Sequence, residues 1–253
     1  MILLLDVGNT HTHLGLADSR TVVRHRDVPT PSWLTGRGAE LVARFVGAQE
    51  LRGAILCSVV PRLTPRIQRV LRSLWGRDAL VLTHRTLRGV GVNYPKPASI
   101  GPDRLANAAA ARQLLGAPVV VVDFGTAVTF DVVDRNGDYV GGIIAPGLAA
   151  MTDYLHEKTA LLPRIRVTET RRVIGKSTTE AMLIGAVRGY RGLVKELLLA
   201  LRTELGGDKL PVVGTGGYAR LISAGVSEID CVEPLLTLDG LRLIWHQHSG
   251  LAA

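Results

Sequence analysis

The chain has 253 residues, 47% of them apolar and only 4% aromatic, which suits one or two compact domains with a core of Val, Leu, Ile and Ala. Its net charge is +8, but the basic residues are dispersed, only five of the 30 are lysine, and no aromatics interleave with them for base stacking, so nucleic acid is not an expected partner. Cys57 and Cys231 make no disulfide framework, no apolar run is long enough to span a membrane, and the first residues lack a basic leader region, so a soluble cytoplasmic protein is the expectation.

Three β-rich runs open the chain: "ILLLD", "HTHLGLA" and "TVVRHRDV". Helical patterning around residues 38–47 comes next, then a buried strand, "GAILCSVV". In "PRLTPRIQRVLRSLWGR", Ile67, Val70, Leu71 and Leu74 share one side and Arg66, Arg69 and Arg72 lie off it, the pattern of a solvated helix face. Residues 86–100 are rich in Gly and Pro and read as a structured loop. A helix then starts at "GPDR" and runs to Leu115, its alanine-rich middle suited to close packing. Strands resume with "PVVVVDF", "AVTFDVVD" and "YVGGIIAPG". Two long helices follow, over about 147–158 and 178–205, then a strand "LPVVGTGG", a helix from Tyr218, a short strand near 229–232 and a C-terminal helix. Strands alternating with helices indicate an α/β fold.

Two stretches share one plan. "ILLLDVGNTHTHLGLAD" and "VVVVDFGTAVTFDVVD" each read apolar strand, Asp-x-Gly, Thr, second strand, Asp, and their first aspartates stand 117 residues apart. This points to a duplicated domain with a boundary near residue 115, giving halves 1–115 and 116–253. At Asp6-Val7-Gly8-Asn9-Thr10 the glycine lets backbone approach an anion, successive N–H groups form a nest, and Asn9 and Thr10 add donors. Asp6 beside phosphates makes sense only with a divalent cation between them; the plainer reading is a carboxylate capping its own hairpin. Asp123-Phe124-Gly125-Thr126 is the partner element, and two such turns facing across a cleft would clamp a triphosphate.

The remaining motifs are weaker. Gly214, Gly216 and Gly217 would admit a flat ring or a phosphate against backbone. "GPDR" sets Asp103 and Arg104 at a helix start, either as a favourable first-turn carboxylate and its neighbour or as a proton acceptor and a fork for a carboxylate or phosphate. "GKST" at 175–178 resembles a Walker ending, but Thr170 stands where the loop needs glycine; Ser177 and Glu180 instead have capping-box spacing. His11 and His13 have the spacing of a zinc pair on a strand, without a third ligand in register.

The ordered set "DVGNT", "GPDR", "DFGTAVT", "GGIIAPG", "HEKTALLPRI" and "GKSTTEAMLIGA" resembles the type III pantothenate kinases of the acetate and sugar kinase/actin superfamily, over essentially the whole chain. The resemblance implies two RNase H-like (actin-like ATPase) domains with the active site in the cleft between them. It implies ATP-dependent phosphorylation of pantothenate to 4′-phosphopantothenate, the first step toward coenzyme A, by a homodimer using Mg²⁺ and a monovalent cation, K⁺ or NH₄⁺. Carried over by motif, Asp6, Val7, Gly8, Asn9, Thr10, His11, Thr12 and His13 would hold the ATP phosphates, Asp6 near Mg²⁺, and Thr126 would also contact ATP. Gly101, Pro102, Asp103 and Arg104 would line the pantothenate site together with Tyr94 and Thr178, the last across the subunit interface in the family. Asp103 would be the catalytic proton acceptor and Asp123 the monovalent-cation ligand. His11 and His13 are not motif features and add nothing to the assignment. The alternatives are another small-molecule kinase of the superfamily and a non-catalytic transcriptional accessory factor.

Overall fold

The computed structural model describes residues 1–205 and 210–250. The chain forms two compact units. The first comprises Met1–Ala117, Arg135–Val140 and the chain from Leu235 onward; the second comprises Pro118–Asp134 and Gly141–Pro234. The first change of unit falls beside the expected boundary, and the chain then returns to the first unit twice.

In the first unit β1 (Ile2–Val7), β2 (His11–Ala17) and β3 (Val22–Pro29) form an antiparallel meander, and a 3-10 turn follows at Thr30–Trp33. Helix α1 (Arg37–Val46) leads to β4 (Gly53–Ser58), which pairs parallel to β1. Helix α2 (Thr64–Trp75) leads to the two-residue β5 (Leu80–Val81), completing a sheet of order β3-β2-β1-β4-β5. Alternation along β1 decides what each face meets. Leu3, Leu5 and Val7 join Leu14, Leu16 and Leu56 in a core closed by Trp33, Val42, Phe45, Ile67 and Leu71. On α2 only Ile67 and Leu71 are fully buried, while Arg69 and Arg72 stay exposed, as the charge pattern requires.

The opposite face, carrying Ile2, Leu4 and Asp6, is covered by two helices. A short strand β6 (Gly91–Val92) inside the expected loop precedes α3 (Pro102–Leu115). The buried alanines Ala106 and Ala108–Ala111 let the C-terminal helix lie close against α3, with Gly240 directly on the backbone of Ala106. The same C-terminal helix reaches the sheet, with Leu238 over Gly15 and Trp245 over Gly53.

The second unit repeats the plan. Strands β7 (Val119–Phe124), β8 (Ala127–Val133) and β9 (Asp138–Pro146) are followed by α4 (Leu148–Lys158). The expected helix over 178–205 is α5 (Thr178–Ile184), a π turn at Gly185–Gly189 bounded by glycines, and α6 (Tyr190–Glu204). Then come β10 (Val212–Thr215), α7 (Ala219–Ser223), β11 (Cys231–Val232) and the C-terminal α8 (Leu236–Ser249). The strands are ordered β9-β8-β7-β10-β11, with β10 and β11 parallel to β7, the counterpart of β3-β2-β1-β4-β5. β9 begins in the first unit, where Asp138 and Tyr139 pair with Gly91 and Val92. Among the described residues no helix is long and apolar enough to cross a membrane.

Candidate active site

The Gly-Asn-Thr turn hangs between β1 and β2. The Gly8 N–H donates to the His11 carbonyl at 3.0 Å, and a Cβ at Gly8 would already stand 3.0 Å from that oxygen. Thr30 pins the turn from behind: its hydroxyl donates to the Gly8 carbonyl at 2.7 Å and its N–H to the Thr10 carbonyl at 2.9 Å. Asn9, Thr10 and His11 are left exposed.

Asp6 points to the face beneath α3 and α8. Burial is the main reason its carboxyl is pushed up to about 6, and the nearby Asp103 and Asp27 carboxylates push the same way. His13 and the Cys57 thiol, which donates to Asp6 Oδ1 at 3.3 Å, oppose the shift. Burial and the Asp6 and Asp103 carboxylates hold the Cys57 thiol well above its usual range.

Asp103, on the first turn of α3, is near enough to Asp6 for the two carboxylates to interact. Pro102 takes the first helical position, where its missing N–H costs nothing. Asp103 bends back over that end: Oδ1 accepts from the Arg104 N–H at 2.9 Å, and a Cβ at Gly101 would lie 2.5 Å from it. Burial raises the Asp103 pKa, while backbone N–H donors and Arg104 pull it down. The hydrogen bond to the Arg104 N–H and the approach to Asp6 thus belong to one side chain. The Arg104 guanidinium lies 5.7 Å over the ring of Tyr139, which meets Tyr94 edge-on at 6.2 Å. Tyr139 is itself buried, so Arg104 and Tyr94 share a rigid aromatic platform.

In the second unit Asp123 ends β7 as Asp6 ends β1. Gly216, at φ +89, presses on this turn: a methyl there would meet Asp123 Oδ1 at 2.5 Å and the Phe124 backbone at 2.8 Å. Gly147, ahead of α4, lies against the carbonyls of Gly125 and Thr126. Carboxylate and carbonyl oxygens therefore gather around an exposed Thr126. A cavity of about 580 Å³ beside Tyr218 is lined by Ala149, Thr152, Asp153, Arg164 and Arg166. Thr178 is exposed on the first turn of α5, where Ser177 caps the Glu180 N–H at 3.2 Å and Glu180 pairs with Arg172. The capping reading of this motif is the observed one.

Two of the candidate residues turn away from this group. Val7 is buried in the core of the opposite face. Thr12 is wholly buried, its hydroxyl 3.0 Å from that of Thr30 and accepting from Trp33 Nε1 at 3.1 Å. Only their backbone can serve a phosphate. Conversely, Cys57, Tyr139 and Asp27 join the site without a sequence signal, and His13 stands directly opposite Asp6. Strand pairing brings them there, so only the register could have revealed them. Among the described residues no three His, Cys, Asp or Glu side chains converge as a metal cage.

Comparison with known proteins accords with this geometry. A family model described as type III pantothenate kinase matches residues 2–200. A type III pantothenate kinase of Akkermansia muciniphila is 47% identical over 241 residues, 95% of this chain and 96% of that protein. Among solved structures, a protein described as a Baf family transcriptional activator from Campylobacter jejuni superposes with a TM-score of 0.64 at 19% identity, covering 98% of this chain and all of that one. The inorganic polyphosphate/ATP-glucomannokinase of an Arthrobacter species does so with a TM-score of 0.52 at 15% identity, over 98% and 99% of the two chains. The structural likenesses show a common fold of two RNase H-like units, and the sequence matches establish that the chain belongs to the type III pantothenate kinase family.

Proposed function

We propose that the protein phosphorylates pantothenate with ATP, giving 4′-phosphopantothenate, the entry step to coenzyme A. The observation that carries this reading is the approach of two half-buried, desolvated carboxylates, Asp6 and Asp103, beside an exposed Gly-Asn-Thr turn. Such a pair is electrostatically costly by itself and suits a site that receives a cation and an alcohol.

In this reading Asn9, Thr10 and the backbone of the turn take the phosphates, and Asp103 takes the pantothenate hydroxyl. With one oxygen tied to the Arg104 N–H, Asp103 holds a fixed orientation toward that hydroxyl. Phosphoryl transfer passes through a loose transition state, so orienting the hydroxyl matters more than basicity, and burial keeps Asp103 ready to receive the proton as it leaves. Arg104 clamps the pantothenate carboxylate with its fork, backed by Tyr139, and Tyr94 lies beside it. Thr178 completes the pantothenate site from a second subunit.

Asp6, with Asp103 close by, fits Mg²⁺, which is commonly held by one or two carboxylates plus substrate phosphates. When bound, Mg²⁺ neutralises triphosphate charge that the carboxylates alone would repel. Asp123 and the carbonyls near Gly147 are an oxygen-rich corner suited to K⁺ or NH₄⁺. Thr126 and the glycine turn before Tyr218 are assigned to ATP, with the adenosine in the adjoining cavity. Exposed Ile144, Met151, Tyr154, Leu161, Val173 and Ile174 on the second unit support a homodimer.

The test is phosphorylation of pantothenate, compared with a panel of sugars, with and without K⁺ or NH₄⁺. Turnover of pantothenate dependent on Mg²⁺ and stimulated by the monovalent ion is expected; a preference for a sugar, or no turnover, refutes the reading.

A further inference from the structure

A second cavity, of about 230 Å³, lies within the first unit, between α3, α8 and the loop before β6. Two arginines, Arg88 and Arg112, and two amides, Gln113 and Gln247, line it, with Ala109 and Leu243 as its apolar part. No acidic residue lines it among the described residues. Local geometry fixes the loop. Gly89 turns at φ +81, where a side chain is strained, and a Cβ there would stand 3.2 Å from the Gln247 amide. His248 Nε2 lies 2.6 Å from the Thr86 carbonyl and ties the same loop to α8. Arg112 is held from two sides. Its Nη1 donates to the Gly89 carbonyl at 2.5 Å, and its guanidinium lies so close to Gly137 that a Cβ there would come within 2.6 Å. Arg88 Nη1 donates to the Leu87 carbonyl at 2.8 Å. Both guanidiniums thus engage one nitrogen with backbone carbonyls, and among the described residues neither meets a carboxylate.

We propose that this cavity binds a small phosphomonoester, at a site separate from the kinase centre. Each guanidinium keeps further N–H donors for a ligand, in the planar fork that matches two oxygens of a phosphate. Two positive charges call for a dianion, since a singly charged group would leave one of them uncompensated. Arg112 and Gln247 stand in the last turns of α3 and α8, whose carbonyl ends bring about half a negative charge each. Two full charges outweigh those ends. The volume equals that of about seven waters, room for a phosphate carrying a short carbon chain. Ala109 and Leu243 would meet the carbons, and the amides of Gln113 and Gln247 can donate to or accept from hydroxyls. Along the axis of α3, Arg112 lies about 13 Å beyond Asp103, so the two sites share a helix but no residue.

The experiment titrates the full chain with glycerol 3-phosphate and with inorganic phosphate by calorimetry, using acetate and glycerol as controls, with and without saturating ADP and Mg²⁺. The variants are Arg88→Gln, Arg112→Gln and Gln247→Glu, with thermal melting as a check on folding. Arg88 and Gln247 are exposed, so their replacement is tolerable to the fold even if loss of the Arg112 contacts is not. Saturable binding of glycerol 3-phosphate is expected, about tenfold or more tighter than that of acetate. Each arginine variant should weaken it by about tenfold or more, the usual scale for losing a charge-assisted hydrogen bond. Gln247→Glu, which sets a carboxylate in the cavity, should weaken it comparably. ADP should leave the isotherm unchanged, because a phosphate held at the nucleotide site would be displaced. No saturable binding, equal affinity for acetate, competition by ADP, or wild-type affinity in Arg88→Gln and Gln247→Glu would overturn the proposal.

Discussion

Replacing Asp6 by Asn should destroy activity and stabilise the fold. Burial and neighbouring carboxylates raise the Asp6 carboxyl from its ordinary 3.8 to about 6. A rise of that size corresponds to about 3 kcal/mol of strain in the ionised form. Between these two values the folded chain holds a proton that the unfolded chain has released, so stability falls as pH rises through the window and stays reduced above it. Asn keeps the shape and the acceptor for Cys57 but carries no charge. At pH 8, without nucleotide or divalent cation, Asp6→Asn should therefore melt higher by about 6–12 °C, given about 2–4 °C per kcal/mol for a chain of this size. The gain should shrink toward pH 4, where Asp6 is protonated in the wild type. Thermal melts by circular dichroism across pH 4–8, paired with a kinase assay, check both halves. A variant less stable than wild type at pH 8, or a gain that does not depend on pH, would refute the account of Asp6 as a desolvated ligand-binding carboxylate.

Asp103→Asn should lower kcat by about a hundredfold or more while nucleotide still binds, the common scale for a lost acid–base group; steady-state kinetics and nucleotide titration measure this. Arg104→Lys keeps the charge but loses the fork and its stacking on Tyr139, so the KM for pantothenate should rise about tenfold with a smaller change in kcat. Gly240→Ala should destabilise the first unit by about 1–3 kcal/mol or more, because its methyl would press on the Ala106 backbone; denaturant titration reads this.

The local features of this protein are legible in one dimension. Apolar runs ending in Asp-x-Gly mark β1 and β7 and the turns that follow them, because a hairpin is encoded by neighbours in sequence. The Pro-Asp-Arg start of α3 and the Ser177–Glu180 cap are equally short-ranged. Strands of two residues, β5 and β6, are too short to leave a period, and β6 was hidden in a stretch of Gly and Pro.

What the sequence by itself determined is the α/β character, the duplicated hairpin plan and the position of its carboxylates, each set by spacing within a few residues. The tertiary structure alone decided which groups those carboxylates meet. Register across β4, β1, β2 and β3 turned His13 from a bystander into the neighbour of Asp6 and Asp27, while its neighbour Thr12 was sent into the core. The return of α8 onto α3 and the first sheet, and the placing of Tyr139 under Arg104, join residues far apart along the chain. Such pairings depend on burial and packing summed over whole faces, and no local pattern in the sequence records them.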